Sequence, residues 1–197
     1  MRLRNVKNAR EIVENHHLVI KENIFNNDKE LRIEIGTGKG DFIIEMAKRN
    51  PNINFIGIEK YESVLIRALN KVEDIPKNLR FMCFDAKEID NYFNNNVSMI
   101  YLNFSDPWPK KKHAKRRLTS ELFLEKYDKI SLDKTHIIMK TDNKDLFSYS
   151  LITLNNANYY FNDVKLDLKE EDSVVTEYEN KFRSMGVTIN YIDAIKR

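Results

Sequence analysis

Five short apolar segments recur along the first 139 residues, and this alternation constrains the fold more than any other feature of the sequence. The segments are residues 31–35, 55–58, 79–84, 99–104 and 136–139. Between them, apolar residues recur at helical spacing: Phe42, Ile43, Met46 and Ala47; Val64, Leu65, Ala68 and Leu69; and Leu122, Phe123, Tyr127 and Ile130. Short buried strands that alternate with helices are typical of a parallel sheet covered on both faces. The sequence therefore predicts an α/β fold.

The last third of the chain has a different pattern. Residues 145–157 and 176–185 are predicted to be helices, whereas residues 161–168 and 187–195 alternate as strands do. Gly186 is predicted to close the second of these helices. Because no long crossover separates the two strands, they predict an antiparallel edge on the mostly parallel sheet, which then has seven strands.

The N-terminal segment is predicted to contain a helix over residues 8–20, preceded by a basic, mobile arm. No repeat, linker or low-complexity stretch divides the chain. We therefore expect a single domain over residues 1–197, with the basic arm at about residues 1–10.

Three of the five glycines fall within five positions, at Gly36, Gly38 and Gly40. They follow the first predicted strand and precede the first helix, so that a ligand can approach the turn closely and meet free N–H groups behind it. The spacing differs from the dinucleotide-binding fingerprint, because the third glycine comes one residue early. A Walker A loop is excluded, because Lys39 is followed by Gly40 instead of serine or threonine.

A carboxylate ends each of the first three predicted strands: Glu34, Glu59 and Asp85. An acid at the end of the second strand can accept hydrogen bonds from both hydroxyls of a ribose. Three carboxylates around a glycine turn suit a nucleoside with a cationic end, which describes S-adenosylmethionine. We predict that Glu59 binds the ribose, Asp85 the adenine amino group, and the turn at Gly36 and Gly38 the methionine end, beside Glu34. The alternative is that strand ends and helix starts are simply polar.

The single tryptophan, Trp108, stands between Pro107 and Pro109 after the fourth predicted strand, where open α/β sheets place their active sites. Each proline favours an extended backbone at the residue before it, which predicts a stiff loop that holds Asp106 and Trp108. The alternative is a turn that is merely anchored by a buried Trp108. That alternative leaves the basic run that follows the loop unexplained.

Positive charge is concentrated in two short segments. The net charge is +3, but residues 1–10 contribute +4 and residues 110–117 contribute +6, so that the other residues sum to −7. Concentrated positive charge indicates a polyanionic partner, although a charge run can also be only a solvated surface.

Several classes of protein and site are excluded by composition. The single cysteine, Cys83, allows neither an internal disulfide nor a cysteine-rich metal site, and we expect it to be buried in the core. The four histidines show no metal-ligand spacing, so no metal is predicted. The chain has no signal-peptide pattern and no apolar stretch of about 18 residues, which predicts a cytoplasmic protein without a membrane partner.

Two motifs together resemble a known family. The turn Glu-Ile-Gly-Thr-Gly-Lys-Gly at residues 34–40 and the run Asp-Pro-Trp-Pro-Lys-Lys-Lys-His-Ala-Lys-Arg-Arg-Leu at residues 106–118 are similar to those of bacterial tRNA (guanine-N7-)-methyltransferases. Lys140-Thr141-Asp142, Thr176-Glu177-Tyr178-Glu179, Lys181-Phe182 and Gly186 match as well. The resemblance covers residues 30–195, with two departures. Ser105 stands where many members have proline, and the N-terminal arm lacks the aromatic and proline residues of some members.

The resemblance implies a Rossmann-like class I methyltransferase fold. It also implies transfer of the methyl group of S-adenosylmethionine to N7 of the guanosine at position 46 in the variable loop of tRNA, which leaves S-adenosylhomocysteine. Because N7 has a free lone pair, the reaction needs no general base and can depend on positioning and electrostatics. Asp106 is the predicted catalytic residue: it borders the cofactor and accepts hydrogen bonds from the guanine N1–H and amino group.

The remaining predicted contacts go to the tRNA. Those to the target nucleotide or the backbone are Lys110, Lys112, His113, Lys115, Arg116, Arg117, Asp142, Thr176, Glu177, Tyr178 and Glu179. The basic residues among 112–117 and the arm at Arg2, Arg4, Lys7 and Arg10 are expected to bind phosphates without reading sequence. Trp108 either stacks on the target base or packs the loop. No obligatory protein partner is predicted, and both a monomer and a homodimer are compatible with the sequence.

Two other functions remain open at this stage. One is a methyltransferase of the same fold that acts on another RNA, a protein or a small molecule, although the clustered charge argues against a small neutral substrate. The other is a non-catalytic RNA-binding relative. Intact glycines and acids at Gly36, Gly38, Glu59, Asp85 and Asp106 argue against such a loss of activity.

Overall fold

A computed structural model describes residues 6–22, 25, 27–71 and 76–197 of the chain. Its centre is a seven-stranded sheet with the order β3-β2-β1-β4-β5-β7-β6. The strands are β1 (Leu31–Ile35), β2 (Asn54–Glu59), β3 (Leu79–Cys83), β4 (Val97–Asn103), β5 (Ser131–Thr141), β6 (Tyr159–Lys165) and β7 (Asn190–Lys196). The α-helices are α1 (Ala9–Glu14), α2 (Asp41–Arg49), α3 (Glu62–Leu69), α4 (Glu121–Ile130), α5 (Lys144–Asn156) and α6 (Glu177–Ser184). Short 3₁₀ helices span Ala86–Asn91, Lys111–Arg116 and Glu170–Asp172.

The first five strands are parallel, and the last two form the antiparallel edge that the sequence predicts. Helical crossovers connect β1 to β2 and β2 to β3, and the chain then returns to place β4 on the other side of β1. The direction of winding therefore reverses between β1 and β4. In an open α/β sheet, ligands bind beside such a reversal, outside the carboxyl ends of the strands.

Helices pack against both faces of the sheet, which confirms the predicted α/β class. One buried cluster joins the sheet to α4 and α5 and includes Phe123, Tyr127 and Leu146. A second cluster, on α1, α2 and α3, includes Ile43 and Leu65. Burial of both faces explains why a central strand such as β4 is mostly apolar in sequence.

The N-terminal segment differs from its predicted structure. The predicted helix over residues 8–20 ends after six residues at Glu14, and the chain then extends alongside the outer strand β3. The Ile20 N–H donates to the Phe81 carbonyl at 2.9 Å, and the Phe81 N–H donates to the Leu18 carbonyl at 2.8 Å. Burial of Leu18 and pairing with a free strand edge replace the helical hydrogen bonds that these residues would otherwise make.

Part of the predicted basic arm lies outside the described residues. Arg2 and Arg4 fall in residues 1–5, about which the structure says nothing. Within the described part, Lys7 and Arg10 are exposed, and Arg10 pairs with Glu14 at 2.8 Å. The Val6 N–H donates to the Ser63 hydroxyl at 3.1 Å, so the chain is attached to α3 from this point on.

Two smaller predictions, for Leu122 and Cys83, are wrong, and a third, for Gly186, is confirmed. The inward face of α4 carries Leu124, whereas the predicted Leu122 is exposed. Cys83 is half-buried, not buried in the core, and burial raises the pKa of its thiol to about 12. Gly186 has φ 74° directly after Met185, the C-cap of α6, as predicted for the residue that closes this helix.

Among the described residues, none of the helices has both the length and the apolar character needed to cross a bilayer. The same part of the chain contains no group of three or more histidine, cysteine or acidic residues that could hold a metal ion.

Candidate active site

The glycine turn, residues 36–40, connects β1 to α2 at the carboxyl edge of the sheet. Gly36 and Gly38 have φ values of 78° and 59°, which side chains rarely tolerate. The Gly36 and Thr37 N–H groups donate to the Ile58 carbonyl at 2.8 and 3.0 Å, which fixes the turn against β2. A Cβ at Gly36 would meet no described atom within 4 Å, so that the turn borders open space where a ligand can approach.

Glu59 ends β2 with its carboxylate at the glycine turn. One oxygen accepts from the Gly38 N–H at 3.1 Å, and the other accepts from the N–H groups of Lys60 and Tyr61 at 2.8 and 3.1 Å. Burial raises the pKa of Glu59 despite these three hydrogen bonds, and the nearby charge of Asp106 adds to the rise. The oxygen that accepts only one bond retains capacity for a ligand hydroxyl.

Asp85 lies one strand further out, at the start of the 3₁₀ helix Ala86–Asn91. Its carboxylate pairs with the Lys60 ammonium at 2.7 Å and accepts from the Lys87 N–H at 3.1 Å. Burial alone would raise the pKa of Asp85, but Lys60 and the Lys87 N–H outweigh it, and the net shift is downward. The carboxylate is therefore ionised and fixed in place at the cleft, where it can accept from an amino group.

Glu34, the third strand-end acid, lies beneath the glycine turn and is only 2% exposed. It accepts from the Thr37 hydroxyl at 2.6 Å and from the Asn103 side-chain amide at 2.8 Å. Burial raises its pKa to about 7, despite both hydrogen bonds and the charge of Lys140. The structure therefore places Glu34 as a support of the turn, and its direct contact with a cofactor remains a prediction.

The Asp106 loop, residues 104–110, follows β4. Phe104 and Trp108 have φ values of 51° and 42°, a left-handed conformation that is unfavourable for large side chains and typical of functional loops. The extended backbone predicted for Trp108 from Pro109 is therefore wrong. The Trp108 ring is half-buried between Arg116, whose guanidinium carbon lies 4.9 Å from its centroid, and His113, at 5.8 Å. Asp106 itself is exposed at the edge of the cleft.

The basic 3₁₀ helix, Lys111–Arg116, continues directly from this loop. Most of the cationic side chains predicted to contact tRNA are exposed there: Lys110, Lys112, Lys115 and Arg116. His113 is half-buried against Trp108. Arg117 differs from all of these, because it is only 9% exposed and donates to the carbonyls of Pro107 and Trp108.

The predicted substrate segment, residues 176–179, begins α6. Thr176 is buried and caps the helix by accepting from the Glu179 N–H at 3.0 Å. Glu177 is exposed and pairs with Lys39 of the glycine turn at 2.7 Å. The exposed Tyr178 packs its ring 4.9 Å from that of Phe104. Partial burial raises the pKa of Tyr178, and the charges of Asp142 and Asp106 add to the rise. The segment thus brings Tyr178 toward the Asp106 loop, whereas Asp142 follows β5 and is half-buried.

Glu179 points in the opposite direction, into the protein. It is fully buried and pairs with Lys140 at 2.7 Å and with Arg183 at 2.6 Å. Lys140 is 2% exposed, donates to the Val174 carbonyl at 2.8 Å and lies 5.8 Å from the Phe104 ring centroid. Burial lowers the pKa of Lys140, and the charge of Glu179 opposes this shift. In this conformation Glu179 is enclosed by protein groups, and its contact with substrate remains a prediction.

A cleft of about 600 Å³ lies between these elements. Gly36, Glu59, Asp85 and Asp106 line it, as do apolar side chains that include Val64 and Phe84. Its volume is within the usual range of roughly 300–1,000 Å³ for small-molecule sites. An open glycine turn, two oriented carboxylates and apolar walls fit a nucleoside cofactor such as S-adenosylmethionine.

Three residues of this site were missed from the sequence. Lys60 pairs with Asp85, Phe104 lies between Lys140 and Tyr178, and Tyr61 borders the cleft in an exposed position. Lys60 and Tyr61 immediately follow Glu59, and Phe104 ends the fourth apolar segment. Their position at strand ends was the available signal, because the carboxyl ends of β1 to β4 border the cleft.

Comparison with known proteins identifies methyltransferases, in agreement with a cleft that fits a nucleoside cofactor. A family model described as "Putative methyltransferase" matches residues 28–192. A tRNA (guanine-N(7)-)-methyltransferase of Lachnoclostridium phytofermentans is 44% identical over 211 residues, which cover 100% of this chain and 99% of that protein. One from a Geobacillus species is 52% identical over 168 residues, covering 83% of this chain and 76% of that protein.

Solved structures support the fold alone. An antibiotic-related methyltransferase has a TM-score of 0.63 at 19% identity, covering 86% of this chain and 88% of that one. A 16S rRNA (adenine(1408)-N(1))-methyltransferase from Catenulisporales acidiphilia, solved with its cosubstrate SAM, has a TM-score of 0.63 at 11% identity and covers 85% of each chain. The matches in sequence extend over nearly the whole chain, and the chain belongs to the family of tRNA (guanine-N(7)-)-methyltransferases.

Proposed function

We propose that this protein transfers the methyl group of S-adenosylmethionine to N7 of the guanosine at position 46 in the variable loop of tRNA. The observation that carries the proposal is the continuity of the Asp106 loop with the basic 3₁₀ helix. An acidic group at the mouth of a nucleoside-sized cleft is thereby joined to an exposed surface with several cations. Such a surface is suited to the phosphates of an RNA that surround one inserted base.

Bound S-adenosylmethionine supplies an electrophilic methyl group on a sulfonium. In this proposal Glu59 accepts from the ribose hydroxyls and Asp85 from the adenine amino group, while the backbone at Gly36 and Gly38 faces the methionine end. Glu59 is suited to the task because three backbone N–H groups hold its carboxylate in one orientation. The apolar walls of the cleft exclude water from the nucleoside.

Asp106 orients the target guanine in this scheme. Its carboxylate accepts from the guanine N1–H and amino group and increases the electron density of the ring at N7. The guanine becomes cationic when N7 is methylated, so the negative charges of Asp106 and Asp142 near the base stabilise the developing charge. The N7 lone pair needs no activation, and the proposal therefore assigns no role to a metal ion.

The exposed cations of the basic 3₁₀ helix bind the tRNA backbone. Each phosphate contact releases counterions, so tRNA binding should weaken steeply as salt is raised. Because tRNA is the substrate, the proposal places the protein in the cytoplasm. It requires no protein partner, and it is compatible with a monomer or a homodimer.

The test uses methyl-labelled S-adenosylmethionine and two unmodified tRNAs that differ only at position 46. We expect the tRNA with guanosine 46 to be labelled and the tRNA with adenosine 46 to remain unlabelled. Borohydride reduction followed by aniline cleavage should cut the labelled tRNA at that nucleotide, because N7-methylated guanosine is sensitive to this treatment and unmodified guanosine is not. Equal labelling of both tRNAs would reject position 46, and a lack of labelling in both would reject the enzymatic function.

A further inference from the structure

Arg117 is the one arginine or lysine of residues 110–117 that the structure places in the interior. Lys112, Lys115 and Arg116 are exposed within the same run, whereas Arg117 is 9% exposed. A cation that binds phosphates on a surface must be accessible to them. The burial of Arg117 therefore points to a different task from that of its neighbours.

The guanidinium of Arg117 is occupied by the backbone of the Asp106 loop. Its Nε donates to the Pro107 carbonyl at 2.9 Å, and its Nη2 donates to the Trp108 carbonyl at 3.1 Å. These carbonyls precede and follow the Cα of Trp108, the residue with the left-handed φ of 42°. A planar guanidinium presents several N–H donors in a fixed arrangement, so that it can hold two successive carbonyls and thus one backbone conformation.

The other contacts of Arg117 attach it to the helical layer. Its guanidinium carbon lies 4.3 Å from the centroid of the Tyr149 ring on α5, a distance suited to a cation–π interaction. Its own carbonyl accepts from the N–H of Ser120, the N-cap of α4, at 2.9 Å. Arg117 thus links the Asp106 loop to two helices that pack on the sheet.

We propose that Arg117 is a positioning residue that fixes the Asp106 loop through the carbonyls of Pro107 and Trp108, and that it does not bind tRNA phosphates. Asp106 directly precedes Pro107, so the conformation that Arg117 imposes also sets the direction of the Asp106 carboxylate. A lysine cannot replace this function, because a single ammonium lacks the planar pair of donors. The inference rests on the proposed function only for the activity measurement. The effect of Arg117 on the conformation of the loop does not depend on it.

The test compares wild-type protein with Arg117→Lys, which keeps the charge. Trp108 is the only tryptophan of the chain, so its emission spectrum and its quenching by acrylamide report on the loop without any activity measurement. We expect red-shifted emission and stronger quenching in Arg117→Lys. We also expect kcat for tRNA methylation to fall by about 10- to 100-fold, because small displacements of catalytic groups have effects of this size. The KM for tRNA and the salt dependence of tRNA binding should change little.

Lys112→Gln is the matched control on the exposed part of the same run. It should reduce the slope of log K against log salt by about one, as expected for the loss of one phosphate contact, and leave Trp108 emission unchanged. The proposal is overturned if Arg117→Lys leaves Trp108 emission and kcat the same as in the wild-type protein.

Tyr149→Leu provides a second variant if Arg117→Lys does not fold, as judged by circular dichroism. It removes the ring beneath the guanidinium and leaves all cations in place, and it should also shift Trp108 emission and lower kcat. Unchanged emission and kcat in a folded Tyr149→Leu would likewise overturn the proposal. If wild-type protein methylates no tRNA while Trp108 still responds to Arg117→Lys, the proposed function fails and the positioning of the loop stands.

Discussion

Asp106 stands exposed at the edge of the cleft, between two residues with positive φ, Phe104 and Trp108. Asp106→Asn keeps the shape of the side chain but removes its charge and presents one amide group to the guanine donors. We expect methyl transfer to fall by about 10²–10³-fold, the range found when one stabilising group is removed from a transition state. Single-turnover transfer to tRNA measures this loss.

The same Asp106→Asn variant should still bind S-adenosylmethionine, because Glu59 and Asp85 remain in place. Calorimetric titration with the cofactor provides this control. Turnover close to that of the wild-type protein would contradict the role that we assign to Asp106.

The raised pKa of Glu34 predicts that the free energy of unfolding depends on pH. Burial raises its pKa from 4.5 to about 7, so between these pH values the folded protein holds a proton that the unfolded chain releases. The contribution of Glu34 to the free energy of unfolding is therefore fully present below pH 4.5 and is lost as the pH rises through 7. Urea denaturation of Glu34→Gln across this range should show a smaller decline with pH than the wild type, by up to about 3 kcal/mol.

Glu125→Gln is a suitable control for that experiment, because it removes an exposed carboxylate on α4. It should reproduce the pH dependence of the wild-type protein. Identical pH profiles for Glu34→Gln and the wild type would show that Glu34 does not titrate in this range.

At the scale of elements, α6 is held in place by a charge pair beneath it. Lys140 on β5 and Glu179 on α6 are both buried, and Arg183 shares the same carboxylate. Glu179→Leu leaves the buried charge of Lys140 without its partner and should destabilise the protein by roughly 3–5 kcal/mol. Lys140→Met should cost less, because Arg183 still pairs with Glu179. The double variant should cost clearly less than the sum of the two, and urea unfolding of all four proteins measures the difference. Additive losses would show that the two charges are not coupled.

The Lys140–Glu179 pair also connects α6 to the candidate active site. Tyr178 lies one residue before Glu179 and packs on Phe104, the first residue of the Asp106 loop. The predicted substrate segment at residues 176–179 is thus divided between a helix cap, a buried ion pair and one exposed aromatic ring. Sequence similarity identifies the segment as a unit, but only the direction of each side chain shows that Tyr178 packs against the Asp106 loop while Glu179 is buried.

At the scale of the whole molecule, the sequence predicts the sheet well, because each of the first five strands contains a short apolar segment with a polar residue at or within two residues of its carboxyl end. The order of strands and helices, the antiparallel edge and the convergence of Glu59, Asp85 and Asp106 on one cleft follow from that pattern. Local periodicity shows which face of a strand or helix is buried, and this burial determines how the elements pack together.

Other features depend on contacts between distant segments and leave no trace in local periodicity. Arg116 and Arg117 are adjacent and chemically identical, yet one is exposed and the other is enclosed by Pro107, Trp108 and Tyr149. The left-handed backbone of Trp108 depends on the same contacts and overrides the preference set by Pro109. Glu34 likewise becomes a buried support only because Thr37 and Asn103 surround it.

The pairing of residues 18–20 with β3 has a consequence for encounters between molecules. β3 is the outermost strand on its side of the sheet, and an open strand edge can recruit a strand from another chain and so begin aggregation. Leu18 and Ile20 already occupy the N–H and C=O groups of Phe81. Residues 18–20 thereby cover this edge at Phe81, whose N–H and C=O groups would otherwise be open to a strand from a second chain.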